Sequence, residues 1–235
     1  MIKIEGLSHK FKERVILDNL NLEVSRNTFH TIIGLNGVGK SLTLRLISEL
    51  ETRQSGNIEY QSKKITFVFQ NAAFFPWLTI SKNLEVCSDY GKEYIFKLLK
   101  DWKLEKYSEM FPNELSGGTL QKVNLIRAFM QNADLILMDE PFSHLDIIQK
   151  EEIYQFTSAL FAEYKTTVVF VTHDIDEALF LSNQISYLSK KSKNITTTFP
   201  VMLQKERSLF QQKTIESHLK YFSEIYNLLK SDMEL

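Results

Sequence analysis

Thr28-Phe29-His30-Thr31-Ile32-Ile33-Gly34-Leu35-Asn36-Gly37-Val38-Gly39-Lys40-Ser41 is the stretch on which the reading of this chain turns. A β-branched run ends at Gly34, and from Lys40 onward Leu42, Leu46, Ile47 and Leu50 recur at helical spacing, predicting a helix over 40–50. Strand, glycine-rich turn and helix, in that order, are the context that a G-x-x-x-x-G-K-[ST] loop requires. Glycines at 34, 37 and 39 let consecutive backbone N–H groups turn inward, where any Cβ would crowd phosphate oxygens. Lys40 adds a point positive charge, Ser41 a hydroxyl able to ligate Mg²⁺, and the helix start its positive dipole end. The candidate phosphate cradle is therefore Gly34, Leu35, Asn36, Gly37, Val38, Gly39, Lys40 and Ser41. A second hydroxyl commonly follows the serine, but here Leu42 does. The α-phosphate contact it would make is either missing or taken over by Thr43, so Leu42 and Thr43 complete the set.

Outward from this loop the chain alternates short apolar runs with helical patterns. Ile2–Ile4, Val15–Leu17 and Leu20–Val24 read as strands, then Ser55-Gly56-Asn57 as a turn before Ile58–Tyr60 and Ile65–Phe69. Residues 78–131 become helical and more polar, with Tyr94, Leu98, Leu99 and Trp102 on one face, predicting an inserted helical subdomain. Leu135–Met138 and Thr167–Val171 are continuous apolar runs of strand length, as expected for central parallel strands buried on both faces. Helices are predicted at Ile147–Tyr164 and Ile175–Leu181. In a C-terminal helical extension, 199–235, Ile215, Leu219, Phe222, Tyr226 and Leu229 form a stripe expected to pack on its own domain.

Composition narrows the function. A chain of 235 residues with 43% hydrophobic content is enough for one large α/β domain. With 28 Lys+Arg against 29 Asp+Glu it lacks the basic balance of a nucleic-acid binder, so no nucleic-acid partner is expected. The single cysteine, Cys87, excludes an intrachain disulfide framework and fits a reducing compartment. Neither a secretory h-region nor a run near 18 apolar residues is seen, so action at a membrane would go through a partner.

Four further segments carry chemistry. Leu135–Glu140 reads as an apolar strand ending in two carboxylates, with Pro141 next. Asp139 is placed to serve the Mg²⁺ shell, and Glu140 to act as general base on a water in line with a γ-phosphate. Leu115-Ser116-Gly117-Gly118 precedes a helical run, Leu120–Met130, so Ser116 reads at least as its N-cap. Ser143-His144-Leu145-Asp146 follows the acidic pair, and Thr172-His173-Asp174 ends the next strand.

Together with Gln70, these motifs resemble those of the ATP-binding cassette (ABC) ATPases over nearly the whole chain to about Leu188. The Leu-Ser-Gly-Gly segment is the discriminating one, since other P-loop proteins lack it. The resemblance implies a P-loop NTPase core with a mainly parallel central sheet, an N-terminal antiparallel β subdomain and the inserted helical subdomain. It also implies ATP and Mg²⁺ as ligands, and a homodimer in which Ser116, Gly117 and Gly118 close over the ATP held by the opposing subunit. Gln70 would reach Mg²⁺ and the attacking water, making Ser41, Gln70 and Asp139 the metal set. Asp146 would contact the opposing subunit, and His173 would touch the γ-phosphate, joining Lys40 and Glu140 in catalysis. Phe11 would stack on adenine, with plain core packing as an equal competitor. Thr119 stands where Gln is usual.

The stretch Phe74-Phe75-Pro76-Trp77-Leu78-Thr79 is either core or a groove for a helix of a membrane subunit. It is similar to the nitrate, sulfonate and taurine importer ATPases. The implied role is the ATP-hydrolysing subunit of an importer for a small solute, peripheral on the cytoplasmic face of the inner membrane. Its partners would be integral membrane permease subunits and, indirectly, a substrate-binding protein. The alternative is a soluble ABC ATPase without a permease, which usually carries long insertions between the P-loop and the signature. Here Leu115 follows Ser41 by only about seventy residues.

Overall fold

The computed structural model describes residues 2–61, 64–201 and 216–234. The strands are β1 (Ile2–Phe11), β2 (Arg14–Val24), β3 (Phe29–Ile33), β4 (Ser55–Tyr60), β5 (Ile65–Val68), β6 (Leu135–Asp139), β7 (Thr167–Thr172), β8 (Gln184–Leu188) and β9 (Ile195–Pro200). The helices are α1 (Lys40–Ile47), α2 (Ile80–Glu85), α3 (Lys92–Asp101), α4 (Gly117–Phe129), α5 (Ile147–Tyr164), α6 (Ile175–Leu181) and α7 (Glu216–Met233). Two short 3₁₀ turns, Glu105–Tyr107 and Pro112–Glu114, lie between α3 and α4.

The central sheet runs β5-β6-β7-β3-β8-β9; all its neighbours are parallel except β9, which returns antiparallel to β8. Period-2 alternation divides its side chains between two cores. Phe29, Ile136, Met138, Val168 and Phe170 pack with α2, α3, α4 and α5. Ile32, Leu135, Leu137, Val169 and Val171 pack with α1 and the sheet β2-β1-β4. Burial on both faces is why these strands read as unbroken apolar runs. The predicted α/β fold, with a mainly parallel sheet and an antiparallel N-terminal sheet, is the one observed.

Three expectations are corrected. The first helix stops at Ile47 instead of Leu50, because Glu49 turns left-handed (φ 60) and leaves Leu50 exposed. Ser55-Gly56-Asn57 belongs to β4 and is not a free turn. It pairs with β1 across a register shift between Glu5 and Ser8. Gly56 sits in that irregularity at φ 87, so close to β1 that a Cβ would lie 2.6 Å from Gly6 and Leu7 backbone atoms.

The third correction concerns α7, which docks by a different face from the one its apolar stripe predicted. Leu219, Phe222 and Tyr226 are exposed, while His218, Ile225, Leu229 and Asp232 are buried; Ile215 lies outside the described residues. Polar anchors set this rotation. Asp232 accepts from Tyr187 Oη, Ser189 Oγ and the Lys190 N–H, and His218 Nε2 lies 3.6 Å from Asp176 Oδ1. Burial opposes ionisation of Asp232, yet these donors hold its carboxyl below the usual range.

His30 on β3 is buried, with Nε2 2.8 Å from Ser186 Oγ on β8. Burial lowers its pKa to about 4, against a raising hydrogen bond with Gln184. An unfolded histidine titrates near 6.5, so between those values the unfolded chain binds the extra proton and stability falls as pH drops. By pH 4.5 this contributes a loss of about 2–3 kcal/mol. Urea unfolding of the parent and of His30→Asn at pH 7 and 4.5 checks this: the variant should lose less on acidification, and equal losses would contradict the assignment.

Candidate functional site

The carboxyl ends of β3, β5, β6 and β7 bring the predicted residues together, the end of a parallel sheet where ligands of such folds bind. From β3 the chain enters the loop Gly34–Gly39 and then α1. Gly37 and Gly39 adopt φ 74 and φ 114, and a Cβ on Gly39 would lie 2.9 Å from Leu17 Cδ2. The loop's backbone path therefore depends on glycine at 39.

The Lys40 side chain folds back into this loop. Its Nζ donates to the carbonyls of Gly34 (3.0 Å) and Leu35 (3.1 Å) and lies 3.3 Å from Glu140 Oε1. Only 4% of Lys40 is exposed. Burial pulls its pKa below the usual lysine value, and the neighbouring Glu140 carboxylate opposes the shift. On the next residue, Ser41 Oγ donates to Asp139 Oδ1 at 2.6 Å. Burial raises the Asp139 pKa, and that hydrogen bond works against the rise. A hydroxyl and a carboxylate side by side form an all-oxygen donor pair, which suits a hard cation such as Mg²⁺.

Glu140 leaves β6 in the left-handed region (φ 42), with its N–H bonded to Val171 O on β7. That conformation is costly for a residue with a side chain and is found where surrounding structure enforces it. Here it turns Glu140 between two partners: Oε1 near Lys40, and Oε2 3.1 Å from Nδ1 of His173. His173 follows β7 directly and is half exposed at 46% of its side chain.

Other predicted residues stand apart from this cluster. Gln70 is exposed, and its Nε2 donates to Ser143 Oγ at 3.2 Å, not to Ser41 or Asp139. Thr43 is fully buried and its hydroxyl donates to Gly39 O at 3.0 Å. The structure thus turns that hydroxyl into the helix and away from the loop interior, so Thr43 does not replace the hydroxyl missing at Leu42. Phe11 is 51% exposed at the end of β1, edge-on to His9, so core packing is not its role. Ser116 caps α4: its hydroxyl accepts from the Thr119 N–H and bonds the Thr119 hydroxyl, while its carbonyl accepts from the Leu120 N–H. Ser116 and Gly117 are exposed, and Asp146 caps α5 through Ile148 and Gln149 with its outer side in solvent.

The aromatic stretch after Gln70 divides its side chains. Phe74 is partly buried beneath Arg127, whose guanidinium carbon sits 4.2 Å from the ring centroid, while Phe75 (39%) and Trp77 (70%) are exposed. Asn83, which the sequence reading passed over, holds this loop. It is fully buried, donates to the carbonyls of Phe75, Leu78 and Thr79, and accepts from the Phe75 N–H. Lys150, Tyr154 and Glu177, also missed, form a polar network beneath His173. Only pairs distant in sequence compose it, so no local spacing reports it.

A strand, a lysine-bearing glycine loop on a helix N-terminus and a strand-end acidic pair define a P-loop nucleotide-binding domain. Comparison with known proteins narrows this class. Residues 17–143 match the ABC transporter family, and the chain belongs to it. It is 33% identical to the aliphatic sulfonates import ATP-binding protein SsuB of Bacillus cereus, over 90% of this chain and 92% of that protein. It is 37% identical to a probable sulfate/thiosulfate import ATP-binding protein CysA of Chlorella vulgaris, over 80% of this chain and 86% of that protein. A bacterial ABC transporter cassette solved as a dimer superposes with a TM-score of 0.72 at 29% identity, over 87% of this chain and 100% of that one. A second structure of that cassette is a post-hydrolysis state with ADP and Pi.

Gly39→Ala tests the loop geometry. Positive φ and the approach to Leu17 should together cost about 1–3 kcal/mol, read as a fall in Tm of roughly 2–10 °C without nucleotide. An unchanged Tm would show that the loop tolerates a side chain there.

Proposed function

We propose that this chain is the ATP-hydrolysing, energy-coupling subunit of an ABC importer, working as a homodimer on the cytoplasmic side of a separate membrane permease. The observation that carries the reading is the convergence of Lys40, Glu140 and His173 beside the Ser41–Asp139 pair. Contacts of 3.3, 3.1 and 2.6 Å link these groups. A lysine, a general-base carboxylate, a histidine and an oxygen pair suited to Mg²⁺, the groups this chain would bring to water attack on a γ-phosphate, lie at one end of the sheet.

Each residue has a distinct task. The N–H groups of Gly34–Gly39 and the N-terminus of α1 cradle phosphate oxygens. Lys40 Nζ, now held by two carbonyls and Glu140, exchanges its carboxylate contact for phosphate oxygens, which frees Glu140. Glu140 then accepts the proton of the attacking water at a carboxylate oxygen. His173 keeps that carboxylate oriented and bears on the γ-phosphate. Ser41 and Asp139 would hold Mg²⁺, which supplies positive charge to the phosphate oxygens, and Gln70 would join them after releasing Ser143. Phe11, exposed at a strand end, offers a face for stacking on adenine.

Pairing is supported by what the single chain leaves open. Ser116 caps a helix N-terminus in solvent, and Ile147 and Ile148, next to Asp146, are 72% and 81% exposed. A second copy covering that apolar edge would place its Ser116, Gly117 and Gly118 over the nucleotide of the first, adding donors where charge develops. The similar cassette solved as a dimer supports pairing. Exposed Phe75 and Trp77 on a braced loop support docking to a permease. The relatives are import ATP-binding proteins for aliphatic sulfonates and for sulfate/thiosulfate, which supports a sulfonate or small sulfur oxyanion as cargo.

Glu140→Gln removes the general base while keeping the side chain's shape. Steady-state turnover should fall on the order of 10²–10⁴-fold, while equilibrium binding of a fluorescent ATP analogue stays within about threefold. Undiminished hydrolysis by this variant would remove Glu140 from the role.

A further inference from the structure

The geometry points to Lys150 as a positioning residue that couples the opposing-subunit contact at Asp146 to the switch histidine, His173. This rests on the proposed roles of His173 and Glu140 and adds a residue and a route to them.

Lys150 lies on α5 one turn beyond Asp146, whose carbonyl accepts its backbone N–H at 2.9 Å. Its Nζ is 2.8 Å from Asp174 Oδ2 and 2.8 Å from Glu177 Oε1. Asp174 is the residue after His173, and its other oxygen caps α6 through the N–H groups of Asp176 and Glu177. Glu177 is almost fully buried, and its second oxygen accepts from Thr172 Oγ1 at 2.6 Å. The same Thr172 Oγ1 accepts from the Asp174 N–H at 3.0 Å. Tyr154, a turn further along α5, donates its hydroxyl to Glu177 at 3.1 Å.

The residues on both sides of His173 are therefore tied to α5, and one ammonium bridges two carboxylates. Without Lys150 those carboxylates would repel each other beneath the histidine, and buried charges left unpaired force a local rearrangement. A few tenths of an ångström at Asp174 would carry directly to the 3.1 Å contact between His173 and Glu140. Among the described residues no hydrogen bond or ion pair joins Lys150, Asp174 or Glu177 to the phosphate loop, so the effect should fall on turnover and spare nucleotide affinity.

The test measures ATPase kinetics of Lys150→Met, Lys150→Arg, His173→Ala and the double variant His173→Ala/Lys150→Met. Lys150→Met should lower kcat about 10-fold or more with KM for ATP within about twofold, and Lys150→Arg should recover most of the loss. In the His173→Ala background Lys150→Met should cost less than about twofold, because its effect is already spent. Tyr154→Phe keeps the aromatic contacts with Phe142 and Phe180 and removes only the hydroxyl. It should move kcat the same way by a smaller factor, and serves if Lys150→Met does not fold.

Lost turnover in His173→Ala alongside parental turnover in a folded Lys150→Met overturns this inference alone. Fully additive losses in the double variant also overturn it, since they would mark a general structural role. Parental turnover in His173→Ala overturns the reading of the histidine and this inference with it.

Discussion

The buried ammonium of Lys40 is the constraint around which the site is arranged. A charge only 4% exposed needs compensation, and the structure supplies it from two loop carbonyls and the carboxylate of Glu140. The loop can offer those carbonyls because Gly37 and Gly39 turn left-handed, and the carboxylate arrives because Glu140 itself sits at φ 42. The Glu140 N–H is in turn pinned to Val171 on β7. The glycine loop and the Glu140 carboxylate are thus fixed by one another through Lys40.

This places demands on the rest of the fold. The loop, Glu140 and His173 come from three strands adjacent in the order β6-β7-β3, with parallel register throughout. Parallel pairing puts their carboxyl ends on one edge, so each strand delivers a functional residue where it ends. The two cores hold the edge in place from opposite faces, one through α1 and the N-terminal sheet, the other through the helices after β5. Beneath the edge, Lys150, Asp174 and Glu177 extend the same logic of paired charges to α5 and α6.

Much of this was legible in the sequence because it is local. The P-loop, the acidic strand end and His173 each show in a window of under ten residues, and buried parallel strands announce themselves as apolar runs. Several of the failures depended on partners far along the chain. Gly56 reads as a turn until β1 is laid beside it. The aromatic stripe of α7 reads as a packing face, yet Asp232 and His218 anchor the neighbouring face through residues more than forty positions away. Lys150 finds its carboxylates more than twenty positions away, whereas Asn83 bonds residues four to eight positions back in an irregular loop that no periodic pattern reports. Thr43, offered as a substitute hydroxyl, instead donates one turn back to the Gly39 carbonyl.

The central claim is that the site is completed by a second copy, whose Ser116 meets the loop of the first. Cross-linking tests it most directly. In chains carrying Cys87→Ser and Glu140→Gln, one population receives Ser116→Cys and the other Asn36→Cys, both exposed positions. The two are mixed and treated with a short bis-maleimide. The account predicts a cross-linked heterodimer that forms with ATP and Mg²⁺ and is absent with ADP. Absence of that species in every nucleotide condition, with both cysteines reactive, would contradict the account and leave each chain to work alone.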